Sequence, residues 1–193
     1  MGIKRIGKHL LEHRWRVRRI FPPQTLALIE QTIKAGEATH SGQVRFAVEG
    51  ALDGKPLFKN QSARERALDI FSQLRIWDTA HNNGVLIYLL LADRQVEIIA
   101  DRGIDAKVGA AGWQKICTAM ETDFKAGNFS GGVIKGIGGL AATGGAFPET
   151  RRGAERTTGR ARGDRLTSFR VGAPATQRCN QKGPPSVNQC FPL

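Results

Sequence analysis

Asn82-Asn83-Gly84-Val85-Leu86-Ile87-Tyr88-Leu89-Leu90-Leu91-Ala92-Asp93-Arg94-Gln95-Val96-Glu97-Ile98 is the stretch from which the architecture of this chain follows. From Val85 to Leu91 every side chain is aliphatic or aromatic, as in a central strand covered on both faces. Asn82-Asn83-Gly84 in front of it is turn chemistry, and Ala92-Asp93-Arg94 behind it makes a tight connection. Val96, Ile98 and Ala100 then alternate with Gln95, Glu97 and Asp101, the pattern of a half-buried strand that hairpins back.

Upstream, Val44, Phe46 and Val48 alternate within Gln43–Glu49, a second half-buried strand. Between the two strands, Ser62 with Glu65 three residues on has the form of a capping box. Ala63, Ala67, Ile70, Phe71, Leu74 and Trp77 then share one helical face to about Trp77. The strand at 43–49, the helix at 62–77 and the strand at 84–91 predict a right-handed βαβ crossover. Leu26, Ile29 and Ile33 predict a helix over 24–38, and Trp113, Ile116, Cys117, Met120 and Phe124 another over 111–126. Val133, Ile134, Ile137 and Leu140 mark a last helix over 132–142, with too many glycines to be stable alone. The order α-β-α-β-β-α-α predicts an α/β fold, a small mixed β-sheet with helices on both faces, within residues 21–147.

The chain has 193 residues, 40% of them hydrophobic, and a formal net charge of +12. That charge belongs to the ends. Residues 1–20 hold seven basic side chains against Glu12, and residues 148–193 hold nine against three acids, so each end carries +6 and the middle is neutral. A neutral core without aromatics interleaved among the bases argues against specific nucleic-acid binding. Ile3, Ile6, Leu10 and Val17 with bases between them permit a basic amphipathic N-terminal helix suited to an anionic membrane surface or a membrane protein. Phe21-Pro22-Pro23 ends it. From Pro148 the apolar residues thin out and Arg, Gly, Thr and Pro dominate, which predicts a disordered Arg-rich tail.

No secretory signal is visible, and Gly84–Ala92, the longest apolar run, is too short to span a bilayer. The reading is a cytoplasmic protein, peripheral to the membrane if the basic N-terminus docks there. Cys117, Cys179 and Cys190 make no metal-ligand spacing, and their odd number is a poor disulfide framework. Cys117 lies in the apolar stripe of its helix and reads as a small buried apolar group. The four histidines read as surface or turn residues.

No P-loop, Gly-x-Ser-x-Gly elbow, His-Glu-x-x-His or Cys-x-x-Cys occurs. What remains is a set of oxygen-bearing residues around the hairpin: Asn83 at the start of the central strand, Asp93 at its far end, and Asp101 and Asp105 after the next strand. Asp and Asn oxygens at strand ends suit a hard cation such as Ca²⁺ or Mg²⁺. Asp93 and Asn82-Asn83-Gly84 are equally ordinary turn residues.

The run from Asn82 to Ile98 resembles the central signature of TPM domains, in which an Asn-Gly turn leads into an apolar strand, an Asp-Arg turn and a second strand. Thr39-His40-Ser41-Gly42-Gln43-Val44 is similar to the family's first strand entry, Phe71–Trp77 to its middle helix and Phe124-Lys125-Ala126-Gly127-Asn128-Phe129 to its late segment. The resemblance covers residues 25–145. It implies an α/β sandwich, divalent metal in some relatives, and acid phosphatase activity as described for a thylakoid-lumen relative. The absence of a leader and of an anchor is more like the small bacterial branch. Asp93, then Asn83, with Asp101 as a third ligand, are the metal positions the resemblance implies. Gln43 stands where that branch often carries Glu, and Asp101 where secreted members often have a Gly-rich turn. Relatives end soon after a Phe-Pro, whereas here Phe147-Pro148 leads into unfamiliar sequence, which a reading-frame change near residues 136–145 would explain. The expected function is therefore a metal-binding, phosphatase-like domain. A non-enzymatic accessory module acting beside membrane proteins is the alternative.

Overall fold

The computed structural model describes Arg5, Gly7 and His9, residues 14–39, 42–79, 81–142 and 186–189. Helices α1 (Arg14–Ile20) and α2 (Pro23–Thr39) precede strand β1 (Gln43–Glu49). A short helix α3 (Lys55–Phe58) and helix α4 (Ala63–Gln73) lead to β2 (Gly84–Leu90) and β3 (Gln95–Ala100). Helices α5 (Arg102–Lys125) and α6 (Phe129–Ala142) follow, and β4 (Ser186–Gln189) is the last element described.

The sheet has the order β1-β2-β3-β4. β2 pairs parallel with β1, Gln43 opposite Gly84 through Glu49 opposite Leu90, and antiparallel with β3, Val85 opposite Ala100. This is the pairing that the two-sided apolar run predicts, and all seven residues of β2 are buried. One face of the sheet, with Val44, Phe46, Val48, Val85, Ile87, Leu89, Val96 and Ile98, packs on Val17, Phe21 and Ile29 and on α5 and α6. The other face, with Ala47, Leu86, Tyr88, Leu90 and Ile99, packs on Leu57 of α3, on Ala63, Ala67, Ile70 and Phe71 of α4, and on Ile76. The result is the expected helix–sheet–helix sandwich.

Several local expectations are corrected. α4 starts as read, with Ser62 accepting from the Glu65 amide and the Glu65 carboxylate accepting from the Ser62 amide. It ends at Gln73, however, and Arg75 takes a left-handed backbone (φ 51°). The helical period is lost there, so Ile76 turns inward and Trp77 is 47% exposed. α5 begins nine residues before the expected Ala111, because Asp101 caps it and it bends at Gly109 (φ 65°). α6 owes its existence to packing. A Cβ on Gly132 would lie 2.5 Å from the Phe124 ring, one on Gly136 would collide with Met120, and one on Gly139 would lie 3.2 Å from Ile116. These glycines are the surface on which α6 meets α5, so they give no support to a reading-frame change. Cys117 is buried as expected, but it is disulfide-bonded and not a free thiol. An odd cysteine count rules out complete pairing, not a single bridge. Cys179 and Cys190 lie outside the described residues, as does most of the 148–193 tail. Residues 186–189 depart from the disorder expected there by pairing with β3, whose outer edge offers unpaired backbone groups.

No helix of the described residues is long and apolar enough to cross a membrane.

Candidate functional site

The three residues singled out in the sequence fall at opposite ends of β2. Asn83 and Asp101 share one end, because β3 runs antiparallel and returns there. The Asp101 amide donates to the Gly84 carbonyl at 2.9 Å, and the Gln43 amide donates to the Asn83 carbonyl at 3.2 Å. Asp93 lies beyond the other end of this seven-residue strand, roughly 20 Å away at about 3.3 Å per residue. Asp93 therefore shares no site with Asn83 and Asp101, and the expectation of a single three-residue cluster is corrected.

At the first end, Asp101 is 7% exposed and caps α5, its Oδ1 accepting from the Arg102 amide at 2.7 Å. Its second oxygen, Oδ2, is buried without a hydrogen-bond partner. One turn on, the Asp105 amide donates to the Asp101 carbonyl, and Asp105 Oδ1 accepts from the Trp113 indole at 2.9 Å. Asn83 is 3% exposed, and its amide donates to the Thr79 hydroxyl at 3.0 Å. The loop and helix are pressed together here. A Cβ on Gly103 would lie 2.5 Å from the His81 carbonyl and 2.6 Å from that of Asn82, so only glycine fits this first turn of α5.

At the second end, the Asp93 carboxylate is already engaged. Arg5 donates to its Oδ2 from one terminal nitrogen at 2.7 Å and from Nε at 3.1 Å. His9 Nε2 lies 3.0 Å from Oδ1. Because His9 Nδ1 accepts from the Leu52 amide at 2.9 Å, the ring carries its proton on Nε2 and donates it to Asp93. Burial raises the Asp93 carboxyl pKa, but the hydrogen bonds from Arg5 and His9, with the Arg5 charge, outweigh it and hold the pKa below the ordinary value. His9 is thus 3% exposed and structural, which corrects its reading as a surface residue. His81 is exposed, while His13 and His40 lie outside the described residues.

Next to this lies a polar network that the sequence did not reveal. Arg66 of α4 grips Glu49 at the end of β1 with bonds of 2.9 and 2.6 Å, and the buried Tyr88 hydroxyl donates to the same carboxylate at 2.7 Å. Burial, with the Glu49 charge, pushes the Tyr88 hydroxyl well above its usual pKa. The alternation of β1 puts Glu49 on the same face as Ala47, but nothing in sequence pairs it with a residue 17 positions on. A third buried acid, Glu97, sits opposite Tyr88 on β3 and is pushed up to about 7 by burial, partly countered by Arg64.

Among the described residues no group of three or more His, Cys, Asp or Glu side chains is placed to hold a metal. A surface cleft of about 420 Å³ between α1 and the start of α6 is lined by Arg16, Arg19 and residues 127–130, and by none of the three expected ligands.

No curated protein matches the sequence. Among solved structures, the chain is similar to the BA42 protein of the psychrophilic bacterium Bizionia argentinensis, at 28% identity and a TM-score of 0.60, over 69% of this chain and 88% of that one. It also shares its fold with the N-terminal domain of a P. gingivalis protein, at 16% identity and a TM-score of 0.54, over 68% of this chain and 82% of that one. A family model of the TPM domain matches residues 18–143. The chain belongs to the TPM domain family.

Proposed function

We propose that this TPM domain binds a hard divalent cation, Ca²⁺ or Mg²⁺, at the Asn83–Asp101–Asp105 end of the sheet, in support of phosphatase-like chemistry. The observation that carries the reading is the buried Asp101 Oδ2 without a partner. A buried carboxylate oxygen left unpaired is costly, and a cation is one way to satisfy it. The flanking groups are oxygen donors, which favours Ca²⁺ or Mg²⁺ over softer metals. With so few carboxylates the site would be weak, on the order of 10⁻⁴–10⁻³ M. Asp93 is not part of this site, since Arg5 and His9 take its oxygens.

The test is calorimetric titration of the full chain with CaCl₂ and MgCl₂, alongside hydrolysis of a phosphomonoester with and without the cation. Asp101→Asn should lose the binding heat and any cation-dependent hydrolysis while staying folded, because Asn caps a helix about as well as Asp. Equal binding by the wild type and Asp101→Asn would overturn the reading. The second reading is an accessory module that contacts an anionic membrane or membrane protein, and it is favoured by Arg18 and Arg19, exposed in the last turn of α1. Co-sedimentation with anionic vesicles in the absence of any hydrolysis would favour it over the first.

A further inference from the structure

The outer edge of β3 is covered by the far end of the chain. β4 pairs antiparallel with it, Ser186 opposite Ala100, Val187 opposite Ile99, Asn188 opposite Ile98 and Gln189 opposite Glu97. The other side of β3 tells which backbone groups are covered. The Asp101 amide donates to the Gly84 carbonyl of β2. Backbone groups alternate in direction along a strand, so the amides of Glu97 and Ile99 also face β2, and those of Ile98 and Ala100 face β4. The covering strand is short, Ser186–Gln189, and residues 143–185 separate it from α6. Seating it closes a long loop, and so few paired residues repay that entropy poorly without a further anchor.

Such an anchor exists on α5. Cys117 is buried and disulfide-bonded, and the only other cysteines of the chain are Cys179 and Cys190. Its partner within the chain is therefore one of these two. Cys117 belongs to the same core layer as Val96 and Ile98. Continued by one residue, the β3–β4 register sets position 190 opposite Val96. Positions opposite each other in an antiparallel pair share a face of the sheet, so position 190 is on the face that α5 covers. Cys179 stands well before Ser186 and falls outside the paired positions. We propose that Cys117 and Cys190 form the bridge, and that it is a redox-released clasp holding β4 over the β3 edge. Reduction by a dithiol breaks the S–S bond. Two electrons and two protons pass to the sulfurs, leaving two thiols on the protein and the reductant as its cyclic disulfide. The cross-link no longer offsets the loop entropy, so β4 leaves the edge more readily. The Ile98 and Ala100 backbone groups then become available to another extended segment, added as an antiparallel strand.

The clasp does not rest on the function proposed above. The experiment uses the full-length wild type, Cys179→Ser and Cys190→Ser, each oxidised with glutathione disulfide and then reduced with dithiothreitol. Mass spectrometry of a non-reducing digest maps the bridge, and amide hydrogen exchange is followed by NMR at Glu97, Ile98, Ile99 and Ala100. The oxidised wild type and Cys179→Ser should both contain a Cys117–Cys190 peptide pair. On reduction, the Ile98 and Ala100 amides should exchange at least roughly tenfold faster, while Glu97 and Ile99, bonded to β2, keep their rates. Cys190→Ser should show the fast exchange without reductant. The Glu97 and Ile99 amides report on the domain itself, so a variant that had merely unfolded would be recognised by their loss of protection. A Cys117–Cys179 pair, free thiols after oxidation, or equal Ile98 and Ala100 rates before and after reduction would each overturn the proposal.

Discussion

Replacing Glu97 by Gln should stabilise the domain at neutral pH and change little in acid. Glu97 is 4% exposed in β3, opposite Tyr88 on one side and Gln189 on the other, and its Oε2 is buried without a partner. Burial moves its pKa from 4.5 to about 7, with the Arg64 charge partly opposing the move. A carboxyl whose folded pKa is raised binds its proton more tightly in the native state. Its contribution is most favourable below the unfolded value of 4.5 and is lost as pH rises towards 7. At ~1.4 kcal/mol per pH unit of displacement, the loss is on the order of 3 kcal/mol once both states are ionised. Gln has nearly the shape of the protonated acid and does not titrate, so Glu97→Gln should remove this pH dependence. Urea unfolding of both proteins at pH 4.5, 6, 7 and 8 measures it. The stability difference between variant and wild type should grow in favour of Gln by roughly 2–3 kcal/mol across that range, most of it between pH 5 and 7. A difference that stays constant with pH would refute the reasoning, because an ionised Glu97 would then be as well accommodated in the sheet as in water.

Two further expectations address what holds the fold together. Ser62→Ala removes the hydroxyl that accepts from the Glu65 amide in the α4 capping box and leaves the backbone amide that donates to the Glu65 carboxylate. It should cost about 1 kcal/mol, seen as a Tm lowered by a few degrees with an unchanged circular-dichroism spectrum. Ile87→Asp places a charge at a fully buried position of β2, where no partner lies within the apolar layer of the sheet. It should abolish cooperative unfolding, and a variant that still melts in a single sharp transition would count against β2 as the centre of the core.

The pairing of the strands was legible because period and burial are local properties of the chain. A run apolar on both faces between two alternating ones admits few arrangements, and β2 sits between β1 and β3 as that pattern requires. Ser62 and Glu65 were legible for the same reason, being three residues apart on one turn. Glu97 was misread, because alternation places it on the face opposite Val96 and Ile98 but does not tell whether that face is wet. α4 covers it. The glycines of α6 read in the sequence only as a cost to that helix, because their partners, Phe124, Met120 and Ile116, lie on another helix.

The candidate site divides along the same line. The residues Asn83, Asp93 and Asp101 could be named from the sequence as oxygen donors at strand ends. Sequence alone determined the fold class, the order of β1, β2 and β3, the α4 cap and these donors, since each rests on patterns local to the chain, whereas the pairing of β4 with β3 did not show in it. Which end each donor occupies, that Arg5 and His9 reach Asp93 from 88 and 84 residues away, and that Arg66 holds Glu49 beside Tyr88 were decided by the tertiary structure. Charges pair through space when packing excludes water from them, and no local period records which distant partner packing will bring within 3 Å.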